Sequence, residues 1–197
     1  MKKLFIMAMA LVSTTAFAES FKIDTGASTI LWKAGKKIGT FHNGSIKFKT
    51  GTVDTDKSGS VSAAKIVVDM KTIANEDLKE KAEYQKKLVD HLSSSDFFDV
   101  EKHPESTFEI TSVTPKAGSK DEFTVKGKFT MIGNTQDIEF PAKISADKSS
   151  VKGTATIVVE RLKWGLKYGS GSLFKSLTAD KIINDTFELS LSVVAKK

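Results

Sequence analysis

Apolar and polar residues alternate with a period of two along most of the chain beyond residue 19. Regular stretches include residues 66–70, 123–131, 138–144, 155–159 and 187–193, in which every second position is apolar and most positions between are polar. In an extended strand this alternation turns one face towards a core and the other towards water. Because turn-forming residues separate these stretches, the pattern predicts about eight half-buried antiparallel strands.

One segment departs from this period. Between residues 75 and 92 the apolar positions recur every three or four residues, which is the spacing of one helix face. Asn75 is the expected N-cap, and Glu76 and Asp77 fall in the first turn, where acidic side chains are favourable. The pattern therefore predicts a single amphipathic helix over residues 75–92.

Eight strands and one helix predict an all-β fold, with the sheet closed into an antiparallel β-barrel. Segments such as 123–132 and 151–160 exceed the usual strand length of about 5–6 residues and favour the barrel over an open β-sandwich, which is the alternative. An outer-membrane barrel would show the same alternation. Only two Trp and two Tyr, and the polar Lys196-Lys197 end, argue against the aromatic girdles of that class.

The first eighteen residues have the pattern of a secretory signal peptide. Lys2 and Lys3 precede an apolar run at 4–12, and Ala16 and Ala18 form a small-x-small cleavage site. The run is too short to span a bilayer as a helix, which takes about 20 residues, so cleavage is favoured over permanent membrane insertion. We therefore expect a signal peptide at 1–18, a single domain at 19–197 and a periplasmic location.

Composition excludes several functions. The chain has no cysteine, and its three histidines lack the spacing of a metal site, so no metal, cofactor or thiol chemistry is expected. The net charge is +6, but all basic residues except Arg161 are lysines, whereas base recognition relies on arginine. These observations predict a protein that is not an enzyme and does not bind nucleic acid.

An eight-stranded barrel is wide enough either to be filled by side chains or to hold one small ligand. The alternation does not decide between these two arrangements, and each inward phenylalanine also fits a packed core. The inward positions are nevertheless apolar, with almost no ionisable group, which suits an aliphatic guest.

A motif in the middle of the chain carries a family resemblance. The stretch HLSSSDFFDV at 91–100, followed by Pro104 and Phe108, resembles the HL-x-S-x-DFFD…P…F signature of the YceI-like family. Segments 68–70, 125–135 and 161–165 fit the same family in order. The resemblance implies a lipocalin-like antiparallel β-barrel, periplasmic export and a long polyisoprenoid lipid bound in an elongated apolar pore. Asn134, where the family often has an apolar residue, and the loop at 163–178 depart from that pattern.

Alternation and resemblance together predict a set of ligand-binding residues. These are Phe41, Phe48, Ile66, Val68, Leu92, Phe97, Phe98, Phe108, Phe129, Met131, Arg161, Trp164, Phe187 and Leu189. The predicted function is to carry or sequester an isoprenoid lipid of the polyprenyl or quinone type. The alternative is an enzyme acting on a similar amphiphilic lipid within the same barrel. The prediction also allows for a homodimer.

Two features at the barrel end are open to two interpretations. Arg161 follows a strand and precedes a glycine-rich loop, where its planar donor group could hold a phosphate, carboxylate or quinone oxygen. The alternative is a structural arginine held by a carboxylate such as Asp185 or by backbone carbonyls. In the DFFD motif, Asp96 is expected to cap a short helical turn and to place Phe97 or Phe98 under the barrel end as a plug.

Overall fold

The computed structural model describes residues 18–197, so the predicted signal peptide lies outside the described residues except for Ala18. Most of the described chain is β-strand. The elements are β1 (Glu19–Ile23), β2 (Thr29–Gly35), β3 (Phe41–Thr55), β4 (Val61–Asn75), helix α1 (Ala82–Ser93), β5 (Glu105–Pro115), β6 (Glu122–Met131), β7 (Asn134–Ala146), β8 (Ser150–Glu160), a short 3-10 helix (Arg161–Trp164) and β9 (Thr186–Lys196).

The sheet closes on itself. Strands β3 to β9 pair with their sequence neighbours in antiparallel order, and β2 pairs with both β3 and β9, which completes the ring. Strand β1 pairs with residues 52–55 of β3 and β2 with residues 41–46, so β1 and β2 occupy one position in the barrel. The predicted eight-stranded antiparallel barrel is confirmed, and the open sandwich is wrong.

The antiparallel order gives the barrel two different ends. The lower end has the tight turns at 56–60, 116–121 and 147–149, together with the C-terminus of the chain. The upper end has the β2–β3 turn and the two long connections, residues 76–104 and 161–185. Long connections are the usual location of binding function on a rigid scaffold.

The lower half of the barrel is filled by its own side chains. Phe21, Val53, Val61, Val151 and Ala195 are all less than a tenth exposed and belong to one apolar cluster. Burial of each of the valine and phenylalanine side chains contributes about 1.5–3 kcal/mol, so this half stabilises the barrel and closes its lower end.

Helix α1 begins at Ala82, and the predicted start at Asn75 is wrong. Asn75 is the last residue of β4, where it pairs with Gly44 of β3 and is 2% exposed. Its Oδ1 atom accepts a hydrogen bond from the N–H of Leu78 at 3.0 Å, so it caps a turn that precedes the helix. Strand pairing with β3 therefore takes precedence over the local helical signal.

Strands β7 and β8 separate above their lower ends. They pair only between residues 142–146 and 151–155, and the 3-10 helix lies beside β7 above that point. The side-chain Nδ2 of Asn134 donates to the Trp164 carbonyl at 2.8 Å. The amide of Asn134 thus provides a hydrogen-bond donor for the Trp164 carbonyl, which an apolar residue at this position would not provide.

Candidate functional site

The upper half of the barrel contains a cavity. Inward side chains from β2 to β9 surround a space of about 150 Å³, bounded below by the filled half of the barrel. Twelve of the predicted ligand-binding residues line it. They are Phe48, Ile66, Val68, Leu92, Phe97, Phe98, Phe108, Phe129, Met131, Arg161, Phe187 and Leu189.

Phe41 lies outside the cavity wall. It is the first residue of β3, and its side chain is 55% exposed, with the Lys33 ammonium 5.6 Å from the ring centre. On this strand Ile46 and Phe48 line the cavity. Because side chains alternate between faces, the odd position of Phe41 points away from the interior.

Trp164 supports the wall from behind and does not line the cavity. It is 1% exposed, and its ring centre lies 5.3 Å from that of Phe129. The indole N–H donates to the Phe129 carbonyl at 2.9 Å. Trp164 therefore fixes the position of the wall residue Phe129, and this hydrogen bond also satisfies the buried indole N–H.

A glycine shapes the adjoining part of the wall. A Cβ atom on Gly127 would overlap the Phe108 ring and the Glu109 carbonyl, so only glycine lets the ring lie over β6. From there the Phe108 ring centre is 5.6 Å from that of Phe140. The close approach of ring and strand is thus set by a missing side chain.

Several wall residues were not among the predicted set. Those on strands are Ile30, Trp32, Ala34, Ile46, Met70, Ile73, Ser106, Ile138, Ile157, Val159, Thr186 and Leu191. Most of them share the inward alternation that identified their neighbours, so the signal was present in the sequence. Leu166, Ile183 and Asn184 come from the connection between β8 and β9, for which no periodic signal exists.

Two segments close the upper end of the cavity. Leu92, Phe97 and Phe98 approach from α1 and the residues after it, and Leu166 and Ile183 approach from the β8–β9 connection. Both phenylalanines thus lie at the barrel end, as the plug interpretation predicts.

The closing segments meet through aromatic rings. The ring centre of His91 is 5.0 Å from that of Phe97 and 4.8 Å from that of Tyr168, which belongs to the β8–β9 connection. His91 Nε2 also contacts the Asp96 carboxylate at 2.9 Å. The Asp96 N–H donates to Ser94 Oγ at 3.3 Å, so Ser94 caps this turn and the prediction that Asp96 caps it is wrong.

Arg161 is buried, with 3% of its surface exposed. Its Nε donates to the Asn184 carbonyl at 2.8 Å and its Nη1 to the Leu166 carbonyl at 2.6 Å. Its Nη2 lies 3.3 Å from the Ile183 carbonyl and 3.4 Å from the Asp185 carboxylate. This arrangement matches the structural alternative stated above, because the guanidinium holds both ends of the β8–β9 connection together.

The charges of this pair influence each other. Burial lowers the pKa of the Arg161 guanidinium, and the Asp185 carboxylate opposes that effect. Burial would raise the pKa of Asp185, but a hydrogen bond from Ser172 Oγ at 2.5 Å and the charge of Arg161 bring it below its ordinary value. The lowered pKa keeps the Asp185 carboxyl ionised at neutral pH, and arginine stays protonated in proteins.

The wall offers little for catalysis. Among the residues that the structure describes, Arg161 is the one ionisable residue that lines the cavity. Within residues 18–197 no group of three or more His, Asp or Glu side chains is placed to hold a metal ion. In the same part of the chain, no helix has the length and apolar character needed to cross a membrane. The site can surround an apolar molecule and exclude water from it.

Fold and cavity together define a closed barrel of the lipocalin type with an apolar cup at one end. The model of the YceI-like domain matches residues 21–195, so the chain belongs to the YceI-like family. A UPF0312 protein of Pseudomonas putida strain GB-1 is 31% identical over 173 residues, which cover 84% of this chain and 85% of that protein.

Two solved structures share the fold at low sequence identity. BcnA of Burkholderia cenocepacia has a TM-score of 0.68 and 21% identity, and covers 88% of this chain and 99% of its own. A polyisoprenoid binding domain from Saccharophagus degradans has a TM-score of 0.60 and 14% identity, with coverages of 89% and 97%. Both similarities support the barrel architecture described above.

Proposed function

We propose that the cavity binds a long polyisoprenoid lipid, of the polyprenyl or isoprenoid quinone type, and that the protein carries or sequesters it without converting it. The observation that carries this proposal is the wall, which is apolar apart from a few side chains and, within residues 18–197, has Arg161 as its one ionisable residue. That guanidinium is engaged by backbone carbonyls. A guest would therefore meet no free acid or base, which favours binding over catalysis.

A structure with the same fold supports the class of ligand. The Saccharophagus degradans structure, which has the same fold, is described as a polyisoprenoid binding domain. Transfer of a methyl-branched hydrocarbon chain from water to such a wall lowers the free energy by about 25 cal/mol per Å² of apolar surface buried.

The size of the cavity implies that the closing segments move when a long lipid binds. A space of about 150 Å³ corresponds to an apolar cavity that accommodates a molecule the size of benzene. A chain of several isoprene units needs more room than that. The filled lower half leaves the upper end as the direction of expansion, so Leu92, Phe97 and Phe98 would move outward with the guest.

Two matched tryptophan variants test the proposal. Val68 lines the cavity, whereas the adjacent Val67 lies on the opposite face of β4. Val68→Trp should fill the cavity and abolish retention of octaprenol by purified, lipid-stripped protein. Val67→Trp should retain it like the wild type. Far-UV circular dichroism establishes that both variants are folded.

Two results would contradict the proposal. Equal retention by the two variants would place the lipid outside the cavity. A chemical change in octaprenol during incubation, detected by mass spectrometry, would instead favour the enzymatic alternative.

We also propose that the chain is exported to the periplasm after removal of residues 1–18, leaving one domain at 19–197. Lys2, Lys3 and the apolar run after them support this. Intact-mass analysis of the protein released by osmotic shock should give Glu19 as the first residue, and retained Met1 would refute the proposal. Assembly as a homodimer stays a prediction, which sedimentation equilibrium can check.

A further inference from the structure

Large apolar side chains are exposed on one side of the cavity mouth. Within residues 18–197, eight large hydrophobic residues are prominently exposed, and five of them lie in two segments, 36–41 and 165–184. These five are Ile38, Phe41, Tyr168, Leu173 and Phe174, which are 43–61% exposed. Scattered exposed apolar residues need no explanation, but a cluster at a binding site indicates an interaction surface.

The two segments form one continuous surface, which we call the basic lip. The Lys37 N–H donates to the Ile182 carbonyl at 2.9 Å, and the Asn184 N–H donates to the Gly35 carbonyl at 2.9 Å. Ile183 of the same surface lines the cavity. The basic lip is therefore fixed to the barrel rim and adjoins the mouth.

Charge on the basic lip has a single dominant sign. It contains five lysines and one acidic residue, Asp180, so its net charge is +4. The lysines are Lys36, Lys37, Lys167, Lys175 and Lys181. All five are exposed, and none has a carboxylate within 4.0 Å in the described part of the chain. Some lysines on the barrel wall are instead paired with glutamates, as Lys49 is with Glu105 of β5 and Lys126 with Glu139 of the neighbouring β7.

The other side of the mouth has the opposite charge. Residues 76–103 contain eight acidic residues and five lysines, so their net charge is −3. A negatively charged surface that attracts the basic lip would repel this segment. The charge distribution therefore favours the orientation in which the basic lip faces that surface.

We propose that the basic lip docks peripherally on a bilayer that contains anionic phospholipids, with its apolar side chains dipping into the interface. Lysines near an anionic bilayer gain about 1 kcal/mol each, and exposed aromatic and aliphatic side chains add apolar burial at the headgroup level. An anionic bilayer therefore matches both the positive charge of the basic lip and its exposed apolar side chains. The proposal goes beyond the bound lipid, because docking needs the outer surface and not an occupied cavity.

Flotation with large unilamellar vesicles tests the docking. Wild-type protein should float with vesicles of phosphatidylcholine mixed with phosphatidylglycerol, and not with vesicles of phosphatidylcholine alone. The triple variant Lys37→Gln/Lys167→Gln/Lys175→Gln should lower the partition coefficient on the order of a hundredfold.

A matched control removes the same charge from the lower end. Lys57, Lys120 and Lys148 are exposed residues of the three lower turns. Lys57→Gln/Lys120→Gln/Lys148→Gln should bind vesicles like the wild type. A second variant, Leu173→Ser/Phe174→Ser, should weaken binding while keeping its dependence on salt, because the lysines remain.

Three outcomes would overturn the docking proposal. The first is that the wild-type protein does not bind the anionic vesicles, which would assign the basic lip to a protein partner. The second is that the two triple variants lose vesicle binding equally, and the third is that the wild-type protein binds neutral and anionic vesicles equally. Octaprenol retention is measured on the same samples. If the wild-type protein binds anionic vesicles but does not retain octaprenol, only the proposed function is contradicted. If it retains octaprenol but does not bind the vesicles, only the docking is contradicted.

Discussion

Replacing Phe129 and Phe140 by alanine, one at a time, distinguishes the cavity wall from the packed core. Both phenylalanines belong to the same apolar cluster, on paired strands β6 and β7. Phe129 lines the cavity, whereas Phe140 does not line it and is 7% exposed. The pair therefore compares one substitution in two environments.

The expected losses of stability follow from what surrounds each ring. Phe→Ala in a packed core costs about 3–5 kcal/mol, and we expect this for Phe140, whose ring packs on Phe108. Phe129 is half-buried and borders a space of about 150 Å³, so its ring already lacks neighbours on one side. We therefore expect about half the cost, roughly 1.5–2.5 kcal/mol, for Phe129→Ala.

Urea unfolding of lipid-free protein, followed by far-UV circular dichroism, measures both losses. A difference of about 1.5 kcal/mol separates the two midpoints by roughly 0.5–1 M for a typical urea dependence. Octaprenol retention should fall for Phe129→Ala and persist for folded Phe140→Ala. Equal losses of stability together with unchanged retention in Phe129→Ala would refute the assignment of Phe129 to a ligand-contacting wall.

Three further predictions concern the upper end. Arg161→Lys keeps the charge but loses most of the hydrogen bonds to carbonyls, so the free energy of unfolding should fall by about 2–4 kcal/mol; a fall below about 0.5 kcal/mol would contradict a clamping role. Asp185 has a lowered pKa, so its contribution to stability is complete above the ordinary carboxyl pKa and is lost as pH falls through the folded value. The difference in melting temperature between wild type and Asp185→Asn should narrow from pH 6 to pH 3, and a constant difference would refute this. Because the chain has no cysteine, His91→Cys/Tyr168→Cys can be joined selectively by a bifunctional maleimide, which should block octaprenol uptake; uptake equal to that of the unjoined variant would exclude opening between these segments.

The regular strands are the part of the site that the sequence could predict. Ile66, Val68, Phe187 and Leu189 alternate with polar or outward residues, and all four line the cavity. A shift of one residue in strand pairing would move each of them to the outer face. Where one face is buried, the alternation therefore determines both the strand and the direction of its side chains.

Prediction failed where contacts distant in sequence determine the conformation. Asn75 has the residue type of a helix N-cap, yet pairing with Gly44 across β3 and β4 keeps it in the sheet. Phe41 is aromatic and close to inward residues, but it falls on the outward parity of β3. Residue type alone was not sufficient in either case, because register and strand ends depend on the partner strand.

The β8–β9 connection links the cavity wall to the outer surface. Leu166 and Ile183, near its two ends, line the cavity, whereas Leu173 and Phe174 in its middle are about half exposed. Arg161 bonds to the carbonyls of Leu166 and Ile183, so one buried guanidinium fixes both ends of the connection. The middle can then change its contacts on a bilayer while its base stays attached to the barrel. Because the filled lower half closes the other end, we expect a lipid that leaves the bilayer at this edge to enter the cavity from above, between this connection and the segment that carries Leu92, Phe97 and Phe98.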